Sequence, residues 1–471
     1  MRTECIEVQL EFQGVGRRRL EGAFDGGHLS SDGGALLLRE TDLRLGLTQR
    51  LAQCFTDLRR QDLIEHSVLE LVRQRVYGLA LGYEDLNDHD DLMRDPLLAL
   101  SVGKDDPEGG ARRRRQDRGR ALAAHSTLNR LELTPQDASP DSRYKKVVHH
   151  PEKIEELFVA LFLDAYEQAP EEITLDFDAT DDPVHGEQEG RFYHGYYGEY
   201  CYLPLYVFCG RHLLAAKLRT ADKDASDGAM ELLAFLAQRI RARWPEVRIV
   251  VRADSGFCRD ELMNWCENNE VKYVLGLAKN VRLLRQIGNE LVQARGQYQQ
   301  TQQAARVFTQ FLWTTRESWS RKRRVIAKAE HLEKGANPRF IVTNLTEGYA
   351  GPRALYEELY CARGEAENRI KEQQLDLFAD RTSTHTFRAN QLRLWFSSLG
   401  YALVCAMRRT ALHGTELAQA TCGTIRNKLL KIGAHVRITV RRIRIHFASA
   451  CPYQEIFRHA LASLTRIPLR R

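Results

Sequence analysis

Three features of the sequence predict an α/β protein of several domains. The chain has 471 residues, more than a single core ordinarily serves. From Glu172 onward, short runs rich in β-branched and aromatic residues alternate with helical periodicity. Helical patterns precede that stretch, and a basic segment closes the chain. Hydrophobic residues at 43% and charged residues at 28% are the balance of a globular protein, which excludes a disordered or collagenous chain.

Residues 1–170 read as mainly helical after a short N-terminal strand. LRETDLRLGLTQRLAQCF and HSVLELVRQRVYGLALGY carry apolar residues at three- and four-residue intervals. KDDPEGGARRRRQDRGRALAAH, rich in Gly and charge, reads as a loop. Its run Arg112, Arg113, Arg114 and Arg115 suits phosphate contact, or plain solvation. In residues 171–280, EEITLDFDAT, YCYLPLYVFC and HLLAAKLRT predict a three-stranded meander. A helix in DASDGAMELLAFLAQRIRARW, a buried-type strand VRIVVRAD, a helix from Arg259 to Asn269 and a strand KYVLGLA follow. That order, β-β-β-α-β-α-β, is how a ribonuclease H-like core is built.

Residues 281–350 read as a β-rich insertion, with strands in RVFTQFLWTT, RRVIAKAEHL and PRFIVTNL. Helical periodicity resumes at Pro352, a favourable first-turn residue, so that residues 351–415 complete the core. Residues 416–471 form a basic C-terminal region. Positions 421–471 carry eleven Lys/Arg against Glu455 alone, a local charge of +10 in a chain whose total is +6, so the remainder is net −4. A basic tail on a mildly acidic body fits a polyanion contact, with Arg441, Arg442 and Arg444 as its densest cluster.

The ten cysteines form no CxxC pair and no Cys/His cluster, which argues against a disulfide framework or a zinc finger. The opening MRTECIEVQLEF does not read as a secretory signal, and no apolar run is long enough for a membrane span. A cytoplasmic, nucleoid-associated protein without membrane partners is expected.

Three places hold acids in arrangements that can do chemistry. In ITLDFDAT the two-residue pleat puts Leu175 and Phe177 on one face and Asp176, Asp178 and Thr180 on the other. Two carboxylates leaving a burial-type strand call for a partner, such as a divalent cation, unless that strand end faces solvent. Asp254 follows the apolar run Val247 to Val251, at the carboxyl end of a parallel-type strand where α/β sheets bind ligands. Before Ser255 and Gly256, it reads equally as a turn or cap former. On the helix from Pro352, Tyr356, Tyr360, Arg363, Glu367, Lys371 and Gln374 share a polar stripe beside Leu355, Leu359, Ala366 and Ile370. That stripe is either a site wall or an ordinary salt-bridged face. Three acids on two strands and a helix can hold two Mg²⁺, or Mn²⁺ in its place, about 3.5 to 4 Å apart for phosphodiester chemistry.

The strings LDFDATDDPVHGEQEGRFYHGYYGEYCYLPLYVFCG, VVRADSGF and YCARGEAENRIKEQQLDLFADRTS resemble the DDE transposases of bacterial insertion sequences, most closely the insertion sequence thirteen-eighty family. The likeness runs from SSDGGALLLRE onward. It implies a ribonuclease H-like catalytic domain with an insertion before the catalytic Glu, and flanking regions that bind terminal inverted repeats. Asp178, Asp254 and Glu367 match the family's catalytic and metal-binding acids, with Asp176 the rival first ligand. Tyr360, Arg363 and Glu367 match a tyrosine, arginine, glutamate, lysine signature; Gln374 stands at the lysine position, and Lys371 is the nearest substitute. Asp181 and Asp182 read as turn residues before Pro183, and His185, Gln188 and His194 as loop polarity or DNA-end contacts. The implied partners are double-stranded DNA, as inverted repeats and as target, and a second copy of the chain when two ends are paired. A stand-alone nuclease would cut without joining, and a silent DNA-binding regulator would need no Mg²⁺.

Overall fold

The computed structural model describes residues 9–470. It divides into two compact units, one of His149–Ser398 and the other combining the chain up to Val148 with the chain from Leu399. The helical N-terminal region and the basic C-terminal region, separate in the sequence reading, therefore contribute to one unit. Among the described residues, no helix is long and apolar enough to cross a membrane.

The His149–Ser398 unit is built on a large mixed sheet. Across it the strands run His212–Lys217, Leu205–Cys209, Glu172–Ala179, Arg248–Ala253, Lys272–Leu277, Arg339–Thr343, Arg323–Leu332 and Ala305–Trp313. Glu172–Ala179, Arg248–Ala253 and Lys272–Leu277 are mutually parallel, and the flanking strands pair antiparallel. The parallel connections require crossovers, which helices Ala229–Arg243 and Asp260–Asn268 supply. Alternation along the strands then divides the side chains. Leu175, Phe177, Val251, Tyr273 and Leu275 enter the main core with Leu233 and Leu236. Val250, Val274, Ile326 and Ile341 face the other way, against Leu355 and Tyr356.

Three elements differ from the sequence reading. YCYLPLYVFC is two strands: Glu199–Tyr202 joins a small sheet with Asp182–Pro183 and Phe192–His194, and only Leu205–Cys209 joins the large one. Pro204 lies between them and has no N–H to give a ladder. Residues 281–350 open with helices Val281–Gln286 and Gly288–Thr301, and their strands extend the central sheet through the pairing of Arg339–Thr343 with Lys272–Leu277. In the longer helix only Ala294 is buried, so it lacked the apolar stripe that marks a helix in sequence. The helix from Pro352 is continuous in direction but widens to a π-helical turn at Leu355–Tyr360 and tightens at Cys361–Arg363 before the regular helix Gly364–Leu377.

In the other unit, helices Ala35–Leu45, Leu47–Ala52 and Val68–Leu81 fall where periodicity indicated. Ser67 and Glu70 form a reciprocal capping box at the start of the last, which satisfies two otherwise orphaned N–H groups. The basic tail folds in part as the hairpin Ala434–Ile438 and Ile443–Phe447, with Arg441, Arg442 and Arg444 exposed at and beside its turn.

Candidate active site

Register decides which acids meet. In the parallel pairing of Glu172–Ala179 with Arg248–Ala253, Asp176 lies opposite Arg252 and Phe177 opposite Ala253. One step further, Asp178 is level with Asp254 at the carboxyl ends of adjacent strands. Asp254 turns the chain there, its Oδ1 accepting the Gly256 N–H at 2.8 Å. The cap former and the candidate site acid are thus the same residue.

The third acid comes from the covering helix. Arg363 reaches back to the sheet, with Nη1 3.4 Å from Asp178 Oδ2, and its Nη2 donates to Glu367 Oε1 one turn along. Asp178 is 8% exposed, so burial is the main force on its proton. Burial, joined by the charges of Asp254 and Glu367 and opposed by Arg363, pushes Asp178 up to about 7. Asp178, Asp254, Glu367 and Arg363 therefore form one electrostatic cluster, with Tyr360 against Arg363 and Asp254.

This shift has a measurable sign. The folded, metal-free chain keeps a proton on Asp178 that the unfolded chain releases near its ordinary pKa of about 4. Its contribution to folding is full below that pH and is lost as the pH rises through about 7. Across this window the thermal midpoint of the wild type should fall relative to Asp178→Asn, which has no proton to lose. Parallel curves for the two proteins would show that Asp178 ionises normally.

Asp176 is engaged elsewhere. Arg252 grips both its oxygens, Nη2 donating to Oδ2 at 2.8 Å, and also donates through Nη1 to the Leu359 carbonyl on the π-helical turn. Both side chains are nearly buried. A charged residue inside the apolar run VRIVVRAD was the available sign of this pair, and the sequence reading passed over it.

Gly276 was also missed. A Cβ there would stand 2.6 Å from Tyr360 Oη and 2.8 Å from the Ser255 nitrogen, so the strand, the covering helix and the Asp254 turn meet at a point that only glycine fits. Gly276→Ala should destabilise the protein by about 1–3 kcal/mol in urea unfolding. An unchanged midpoint would mean that the contact relaxes freely.

Other predicted residues are dispersed. Lys371 is exposed on the same helix, and Gln374 Nε2 donates to the Asp181 carbonyl at 3.1 Å. Asp182 is not in a turn: it pairs with Tyr202 in the small sheet and is 1% exposed, and burial drives its carboxyl well above the usual range. Gln188 Nε2 donates to the Thr382 carbonyl at 3.3 Å, the His194 ring packs at a tilt against Tyr197, and His185 is exposed. Arg112, Arg113, Arg114, Arg115, Arg441, Arg442 and Arg444 belong to the other unit.

Among the described residues, no three His, Cys, Asp or Glu side chains stand close enough together to hold a metal ion as they are. The donors suit a hard cation all the same: the acids are oxygen ligands, one deeply buried, and a single guanidinium compensates them.

A family profile described as transposase DDE domain group 1 matches residues 12–469. The chain belongs to this transposase family. No curated protein matches it. Among solved structures, the transposase is similar to the piggyBac transposase synaptic complex with hairpin DNA seen by cryo-EM. The two are 10% identical over 84% of this chain and 79% of that one, with a TM-score of 0.41. DDE transposases as a class use divalent metal ions. The family makes this chain a nucleic-acid-cleaving enzyme by kinship.

Proposed function

We propose that the protein cuts DNA at the terminal inverted repeats of an insertion sequence and joins the freed 3′ hydroxyl to target DNA. The observation that carries this reading is the electrostatic cluster of Asp178, Asp254 and Glu367 around Arg363 at the carboxyl ends of parallel strands. The strand order and directions support reading the sheet as a ribonuclease H-like core, extended by the strands of residues 305–343. Kinship within the insertion sequence thirteen-eighty family rests on the three motif strings alone.

Asp178, Asp254 and Glu367 are the proposed holders of two Mg²⁺, with Mn²⁺ as a substitute. When bound, the ions supply Lewis acidity that activates the attacking oxygen and stabilises the leaving one. The protein's own part begins with Asp178, which must give up its proton, and with Arg363, which must leave its carboxylates. Released, the Arg363 guanidinium can donate two parallel hydrogen bonds to a phosphate. Tyr360 lies beside it. Lys371, exposed one turn beyond Glu367, is the available phosphate contact on this helix, since Gln374 is held by Asp181. Asp176, already gripped by Arg252, is the weaker choice for first ligand. Arg441, Arg442 and Arg444 are proposed to contact DNA backbone, and two copies of the chain to pair two ends.

The test is cleavage and strand transfer of labelled DNA carrying the element's end, with Mg²⁺. Cut product joined to a target plasmid is the expected result. Cutting without joining of a pre-cut end would make the protein a nuclease, and binding with neither reaction would make it a regulator.

A further inference from the structure

Within the unit that contains the N-terminal segment, a recess of about 750 Å³ is lined by nine lysines and arginines against two carboxylates, Glu65 and Asp117. The arginine run divides here. Arg112 is tied into the fold, with Nη2 3.1 Å from Glu65 Oε2 and Nη1 2.6 Å from His66 Nε2. The backbone of Arg113 is anchored as well, its N–H donating to Glu65 Oε1 at 3.0 Å. Arg114, by contrast, has no carboxylate partner among the described residues, and neither do Arg130 and Arg143, which reach the same recess from later in the chain.

Two of these guanidiniums lie over one aromatic ring. Arg130 and Arg143 each lie 4.9 Å from the centroid of Tyr144, which gathers the two guanidiniums at one side of the recess. The local potential is positive enough to act on a neighbour: burial first, then Lys104, Arg112 and Arg59, push the His66 imidazole down to about 2. Like charges gathered in a concave wall repel one another, and a bound polyanion offsets that repulsion while its counterions are released. The excess of lysine and arginine in the lining suits linked phosphates rather than a compact apolar ligand.

The geometry points to a binding site for the phosphodiester backbone of DNA in this recess, with Arg114, Arg130 and Arg143 as the phosphate-contacting groups. This rests on the transposase reading only in choosing DNA among polyanions. It assigns to this unit a DNA contact separate from the acids of the His149–Ser398 unit, and within the arginine run it selects Arg114 over its tethered neighbours.

The test is equilibrium binding by the full chain, in EDTA, of a labelled 30-nucleotide mixed-sequence single strand and of its duplex across a salt series. The probe length is about 30 nucleotides so that several phosphates can be engaged. Arg114→Gln/Arg130→Gln/Arg143→Gln should weaken binding of at least one probe by tenfold or more. It should also reduce the slope of log K against log salt by about two, near 0.7 to 0.9 per lost phosphate contact. The probe that loses more identifies the strand form bound. Arg114→Gln alone, an exposed side chain whose change leaves the packing intact, should lower the slope by roughly one such increment. Wild-type affinity and slope for both probes in both variants would overturn the proposal. Because no metal is present and nothing is cut, that failure is distinct from failure of the cleavage reading.

Discussion

Asp254→Asn is expected to abolish both cutting and joining, by on the order of 10³-fold or more, while DNA affinity in EDTA is retained. The asparagine oxygen can still accept the Gly256 N–H, so the turn that closes the strand should survive. What is lost is one negative charge among three acids arranged around Arg363. Asp178→Asn and Glu367→Gln should have effects of similar size, because each also removes a charged oxygen ligand from the same cluster. Asp178→Asn carries an added signature: it should stabilise the metal-free protein near neutral pH, since it removes a carboxylate that burial disfavours. Cleavage and transfer at wild-type rates by Asp254→Asn would remove it from the catalytic set.

The second large effect is expected one residue pair below the acids. Arg252→Met leaves Asp176 buried without its guanidinium and the Leu359 carbonyl without its donor, and should cost about 3–5 kcal/mol in urea unfolding. The double variant Asp176→Leu/Arg252→Met should recover much of that loss, since a buried pair replaced by apolar groups is often neutral. It should not recover cleavage. The Leu359 carbonyl belongs to the π-helical turn that leads into Arg363 and Glu367, and Arg252 ties that turn to the sheet bearing Asp178 and Asp254. A double variant that regains both stability and activity would show that the pair merely fills space. Cleavage assays on the two variants, each below its unfolding midpoint, separate these outcomes.

Some of this was legible in the sequence because its causes are local. Alternation in ITLDFDAT put Asp176 and Asp178 on the face opposite Leu175 and Phe177, and the structure has that division. The apolar run before Asp254 marked a buried strand, and three- and four-residue spacing put Arg363 and Glu367 on one helical face. Each of these follows from a period that a short stretch of chain sets by itself.

Tertiary structure decided the rest, because it depends on residues far apart in sequence. Periodicity left Asp176 and Asp178 equivalent; the register with Arg248–Ala253 brought Arg252 to the first and Asp254 to the second. No local pattern distinguished a strand of the central sheet from a strand of a separate insertion, and only the pairing with Lys272–Leu277 made Arg339–Thr343 part of that sheet. Gly276 is required by three segments that meet at one point. The arginine run looked uniform until Glu65 and His66 took up Arg112, and residues from later in the chain joined Arg114 around a recess. A sequence by itself determines which faces its elements present; which groups on those faces meet is set by packing and register, where burial and charge act between distant parts of the chain.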